Sequence, residues 1–212
     1  NDPETNKSRE LVVQVFYPAE IESSKTVAQY AYEAREWYKT TFAQQGVSEE
    51  KLKLLDNIYT HAISQAPVCN ENAPYPVVIF AHGNGAPRGG YSFLCEEIAS
   101  HGYIVIMVMH TYITSMTCFS DGRKINSLRD ADLCSKVEQC FADVEFMLNN
   151  ATSGAFGSLT AVCDFKNISI VGHSLGGMTT AQVCRRDKRV KAGINLDGTL
   201  WGIDSTKPFY KP

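Results

Sequence analysis

Short β-branched and aromatic runs alternate along this chain with stretches whose apolar positions recur every three or four residues. The runs predict strands at about 10–17, 76–81, 103–109, 167–171 and 190–196. The helical periodicity predicts helices at about 26–45, 49–65, 91–101, 127–149 and 176–185. Beyond the first strand and two helices, strand and helix alternate. That order belongs to a mostly parallel α/β sheet with helices on both faces. One domain over 1–212 is expected, with a helical insertion at about 26–67. In the insertion Tyr30, Ala34, Tyr38 and Phe42 recur every four residues. They define a face expected to pack on the body of the protein, or alternatively to line an acyl pocket or meet lipid.

The chemistry concentrates where the fourth strand meets the last helix, in Ile168-Ser169-Ile170-Val171-Gly172-His173-Ser174-Leu175-Gly176-Gly177. This run contains G-x-S-x-G between a strand and a helix, the context of a nucleophile elbow. The glycines leave room for a turn that exposes the Ser174 hydroxyl above the sheet, with the helix's positive end behind it. A hydroxyl at neutral pH also needs a base, a group to orient that base, and donors for the oxyanion. Arg189-Val190-Lys191-Ala192-Gly193-Ile194-Asn195-Leu196-Asp197-Gly198 reads as a short strand ending in an aspartate. Site residues of open α/β sheets collect at such strand ends, so Asp197 is expected near Ser174. Tyr75-Pro76-Val77-Val78-Ile79-Phe80-Ala81 reads as a buried strand that ends at His82-Gly83-Asn84-Gly85-Ala86.

The stretches from Tyr75 to His110 and from Asp164 to Gly198 resemble the platelet-activating-factor acetylhydrolases, as does the opening Glu10–Ala19. The resemblance implies an α/β-hydrolase fold, with Ser174 as nucleophile and Asp197 as acid. In that family the acid follows on the next strand, and Asp197 falls 23 positions after Ser174. Cutinase-like enzymes place it one strand later. The resemblance also implies oxyanion donors at the backbone amides of Leu175 and Asn84. The catalytic histidine of such enzymes follows the acid. His61, His82, His101, His110 and His173 all precede it, so the base is expected beyond Pro212, with the last strands of the sheet.

A serine carboxylester hydrolase acting through an acyl-enzyme on a lipid or short-chain acyl ester is therefore expected. The alternatives are a cutinase-like polyester hydrolase and a catalytically idle hydrolase fold used for binding. No cofactor or metal is called for, and no C-x-x-C metal spacing occurs. The net charge of −3 comes without a basic patch and argues against nucleic acid. No apolar run is long enough to span a membrane, which leaves peripheral contact with lipid. Seven cysteines, an opening at Asn1 rather than methionine, and sequons at Asn6, Asn150 and Asn167 lean towards a secreted or periplasmic protein over a cytoplasmic one. Asn167 is expected to be buried in the strand before the elbow.

Overall fold

The structure, a computed structural model, describes residues 6, 8–20, 26–30, 34–128, 131–200, 203, 206 and 209. In chain order the first half holds β1 (Val12–Phe16), β2 (Val27–Gln29), α1 (Arg35–Gln44), α2 (Glu49–Lys53), β3 (Tyr59–Ile63), β4 (Tyr75–Ala81) and α3 (Ser92–Ser100). There follow β5 (Ile104–Met109), β6 (Met116–Cys118), β7 (Lys124–Asn126), α4 (Leu133–Asn150), β8 (Cys163–His173), α5 (Leu175–Arg186) and β9 (Val190–Leu196).

The main sheet has the order β1-β5-β4-β8-β9. Only β1 runs antiparallel to its neighbour, and the other pairings are parallel. From β4 the chain crosses through α3 to β5 on one side. It then returns through α4 to β8 on the other side of β4. The direction of winding thus reverses between β4 and β8, and in open α/β sheets the crevice at such a reversal is where ligands bind. The four parallel strands need cover on both faces. On one face Phe141, Val144, Met147 and Leu148 of α4 and Val183 and Cys184 of α5 pack on Ile79, Ile106 and Ile170. On the other, Cys95 and Ala99 of α3 pack on Phe80, Val105 and Met107. Each Val, Leu, Ile, Phe or Met side chain among them taken fully from water stabilises the fold by about 1.5–3 kcal/mol.

Three expectations are corrected. The stretch expected to form two long helices contains an antiparallel pair, with Val27 opposite Ile63 and Gln29 opposite Tyr59. Among the described residues there, helix is confined to α1, the short α2 and a 3₁₀ turn at Leu54–Asn57. The aromatic recurrence still marks one packed cluster. The Tyr38 ring lies tilted against its neighbours, with its centroid 6.1 Å from that of Tyr30 and 5.7 Å from that of Phe42, and with Ala34 it buries against Met116. The long fourth helix begins at Leu133, later than periodicity indicated. The Asp132 side chain sets that start by accepting from the Ser135 N–H at 3.0 Å. Asn167 is exposed, not buried.

Candidate active site

β8 ends at His173, and Ser174 takes φ 55° and ψ −118° before α5 begins. Few residues with a Cβ adopt this backbone. Two backbone approaches fix the turn. A Cβ on Gly172 would overlap the Gly176 carbonyl, and a Cβ on Gly176 would overlap the carbonyl of Ala81 at the end of β4. Glycine is therefore required at both positions, and α5 is held directly against the carboxyl end of β4.

Register brings Asp197 to the serine. His173 of β8 pairs with Leu196 of β9, so Ser174 and Asp197 are each the next residue past neighbouring strand ends. The Ser174 N–H donates to the Leu196 carbonyl at 2.9 Å. Asp197 also has left-handed backbone, at φ 59°. The Asn195 side chain bridges the turn, accepting from the Gly198 N–H at 2.7 Å and donating to the Gly198 carbonyl at 2.9 Å. The Asp197 carboxylate is exposed and makes no hydrogen bond among the described residues.

The loop after β4 lies on the other side of the serine. A Cβ on Gly83 would stand 3.5 Å from the Ser174 Cβ. The Gly83 carbonyl accepts from His82 Nδ1 at 2.8 Å and from the Ala86 N–H at 3.1 Å. In a trans peptide the next N–H points opposite to that carbonyl, so the Asn84 amide is aimed away from His82. Among the described residues neither the Asn84 nor the Leu175 backbone N–H has a hydrogen-bond partner. Leu175 opens α5, where amide donors and the helix dipole favour negative charge. The structure thus brings together Ser174, Asp197 and the loops carrying Asn84 and Leu175.

None of the five histidines hydrogen-bonds to Ser174 or Asp197 among the described residues. His61 and His101 are exposed on β3 and at the end of α3. His173 turns to Tyr91, whose hydroxyl lies 2.8 Å from its Nδ1 and accepts from the Gly83 N–H at 3.3 Å. His82 and His110 are buried with ring centroids 5.1 Å apart. The two ring nitrogens of His82 have fixed roles. Nδ1 faces a carbonyl and must donate, and Nε2 accepts from the His110 N–H at 3.2 Å. Burial and the nearby His110 push the His82 pKa down to about 3, so the ring is neutral.

A buried ionic group backs this pair, and the sequence reading missed it. Asp143 of α4 receives Arg9 at 2.9 Å on each oxygen, Gln139 at 2.9 Å and His110 Nδ1 at 3.0 Å. Burial works to raise the Asp143 pKa, but His110 and Arg9 outweigh it and hold the carboxyl below its ordinary value. Burial likewise opposes a charged His110, yet the Asp143 carboxylate at its Nδ1 holds its pKa above the usual value for histidine. Lys136, also on α4, reaches Asn84 Oδ1 at 3.3 Å. The only signal of the group in the sequence is that two histidines end adjacent parallel strands.

Among the described residues no cluster of three or more His, Cys, Asp or Glu side chains could hold a metal ion. No disulfide joins any of the seven cysteines. A cavity of about 880 Å³ lies between β1, β3 and α3, lined by Phe16, His61, Tyr75, Glu96 and His101, and Ser174 is not on its wall.

Over residues 3–152 and 123–208 the chain matches the family model of platelet-activating factor acetylhydrolase, isoform II. It is 31% identical over 157 residues to the platelet-activating factor acetylhydrolase of Cavia porcellus, across 61% of this chain and 36% of that protein. It is 28% identical over 134 residues to Cutinase 1 of Thermobifida cellulosilytica, across 63% of this chain and 43% of the other. The chain spans about a third of the length of curated acetylhydrolase relatives that it matches. A ferulic acid esterase from Streptomyces cinnamoneus superposes with a TM-score of 0.75 at 28% identity, covering 96% of this chain and 56% of that one. With a G-x-S-x-G elbow between β8 and α5 and an aspartate at the end of the very next strand, the chain has an α/β-hydrolase fold and belongs to the platelet-activating factor acetylhydrolase, isoform II, family.

Proposed function

We propose that this protein is a serine carboxylester hydrolase that acts through an acyl-enzyme on Ser174, with a lipid or short-chain acyl ester as substrate. The observation that carries the reading is the strained Ser174 turn, flanked by two uncommitted backbone amides and by a strand-end carboxylate. The Ser174 hydroxyl attacks the ester carbonyl, and the oxygen that becomes negative accepts from the Asn84 and Leu175 N–H groups. Donors of this kind are worth about 10²–10³ in rate each, because they are already in place when charge develops. The alcohol leaves, and water then hydrolyses the acyl-enzyme. Asp197 orients and stabilises the imidazolium that carries the proton between these steps. That imidazole must bridge Ser174 and Asp197, and among the described residues none of the five histidines hydrogen-bonds to either.

The guinea-pig relative's name supports an acetyl ester of a lipid as one substrate. A cutinase-like polyester hydrolase is the second reading, favoured by the match to Cutinase 1, while the position of Asp197 on the strand next to the serine favours the first. Export from the cytoplasm is part of the same proposal. No helix among the described residues is long and apolar enough to cross a membrane. A chain-length series of nitrophenyl esters tests the reading. Turnover that falls with acyl length and vanishes in Ser174→Ala supports it. Turnover that persists in Ser174→Ala overturns it.

A further inference from the structure

Lys136 is only 7% exposed, yet no Asp or Glu among the described residues pairs with its ammonium. Its one side-chain hydrogen bond runs to a neutral oxygen, Asn84 Oδ1, at 3.3 Å. Charge-assisted bonds to an anion are shorter, near 2.8 Å. An ammonium has three donors and accepts nothing, so two of its N–H groups have no protein acceptor among the described residues. The stem of Lys136 is therefore covered while its ammonium, beside the exposed Asn84, keeps donor capacity that the described protein groups leave unused. The rest of α4 shows how this fold treats buried charge. Asp143, two turns further on, is held by Arg9, Gln139 and His110 together.

The location of the ammonium gives the exception a chemical meaning. Val137 and Cys140, next along α4, pack with Ile113 on Leu175 and Met178, so this part of α4 lies over the start of α5. Asn84 is exposed and follows Gly83, which lies against Ser174. Lys136 therefore presents positive charge on the side of the site that carries the Asn84 amide. We infer that Lys136 is a specificity-determining group that selects esters bearing a carboxylate or phosphate close to the reacting carbonyl. The inference rests on Ser174 acting as an ester nucleophile. An anionic oxygen can accept both remaining donors, which a neutral chain cannot.

The test compares kcat/KM for two matched pairs: nitrophenyl butyrate against nitrophenyl hemisuccinate, and acetylglycerol against acetylglycerol 3-phosphate. Lys136→Met keeps the buried stem without the charge, and Lys136→Arg keeps the charge. The wild type should favour the anionic member of a pair by about tenfold or more. That ratio should fall towards one in Lys136→Met and persist in Lys136→Arg. The pair that shows it distinguishes carboxylate from phosphate recognition. A ratio equal in wild type and Lys136→Met overturns the inference. So does an equal slowing of both members, which would make Lys136 a strut for Asn84. If the wild type hydrolyses none of the four and an organophosphonate fails to label Ser174, the hydrolase reading itself fails. Labelling without anionic preference overturns the Lys136 inference alone.

Discussion

Replacing Ser174 by glycine should make the protein inactive and more stable. At φ 55° and ψ −118° the serine occupies a sparsely populated backbone region, and such a residue carries about 1–3 kcal/mol of strain. Glycine adopts that backbone freely, but its extra freedom in the unfolded chain offsets about 0.5–1 kcal/mol. The side chain contributes little, because Ser174 stands at the N-cap of α5 without a side-chain capping bond. The net gain is about 1 kcal/mol, and for a chain of 212 residues that raises Tm by about 2–4 °C. Ser174→Ala removes the hydroxyl and keeps the strain, so it is the control. Calorimetric or fluorescence melts of wild type, Ser174→Ala and Ser174→Gly should rank the glycine variant highest. A glycine variant melting with or below the alanine variant would refute the view that strain is stored at the elbow.

Asp197→Asn should leave the fold intact and lower kcat by about 10⁴, since an amide cannot stabilise an imidazolium; circular dichroism with steady-state kinetics checks both halves, and near-normal activity would move the acid elsewhere. His82→Asn, whose amide nitrogen can stand in for Nδ1 and keep the bond to the Gly83 carbonyl, should retain more kcat than His82→Gln at similar KM; equal loss in both would deny His82 a part in aiming the Asn84 amide. The Arg9–Asp143–His110 group should shape stability against pH. The Asp143 contribution is present above the ordinary carboxylate value of about 4 and is lost as pH falls through its lowered pKa. The His110 contribution is full below about 6.5 and declines as pH rises through its raised pKa. Denaturant melts should therefore show the largest gap between wild type and Asp143→Asn, about 3–5 kcal/mol, between those values. A gap that does not change with pH would contradict the pairing.

The parallel core and the Ser174 elbow were legible because local rules and the global fold agree there. β4 and β8 are apolar runs that parallel strands require, and the two elbow glycines answer to backbone contacts that no other residue survives. Asp197 was legible through its spacing, which the register of β8 and β9 converts into proximity. The insertion misled because tertiary packing overrode the local signal. Tyr30, Tyr38 and Phe42 meet at a spacing that imitates one helix, although the described Tyr30 precedes α1. Tyr59-Thr60-His61-Ala62-Ile63 carries the β-branched and aromatic residues of a strand, at the end of a stretch whose periodicity indicates a helix at about 49–65. The three-residue strands β6 and β7 are too short for any period to show. Arg9, His110 and Asp143 come from three distant segments, so their meeting depends on the strand order and not on any local pattern.

The central claim is that Ser174 is an activated nucleophile facing the Asn84 and Leu175 amides. Intact mass spectrometry after exposure to a fluorophosphonate, followed by peptide mapping, tests it most directly. One phosphonyl group per chain, attached to Ser174, abolished by Ser174→Ala and slowed by Asp197→Asn, is the predicted result. No adduct on a folded protein, or an adduct on another residue, would contradict it.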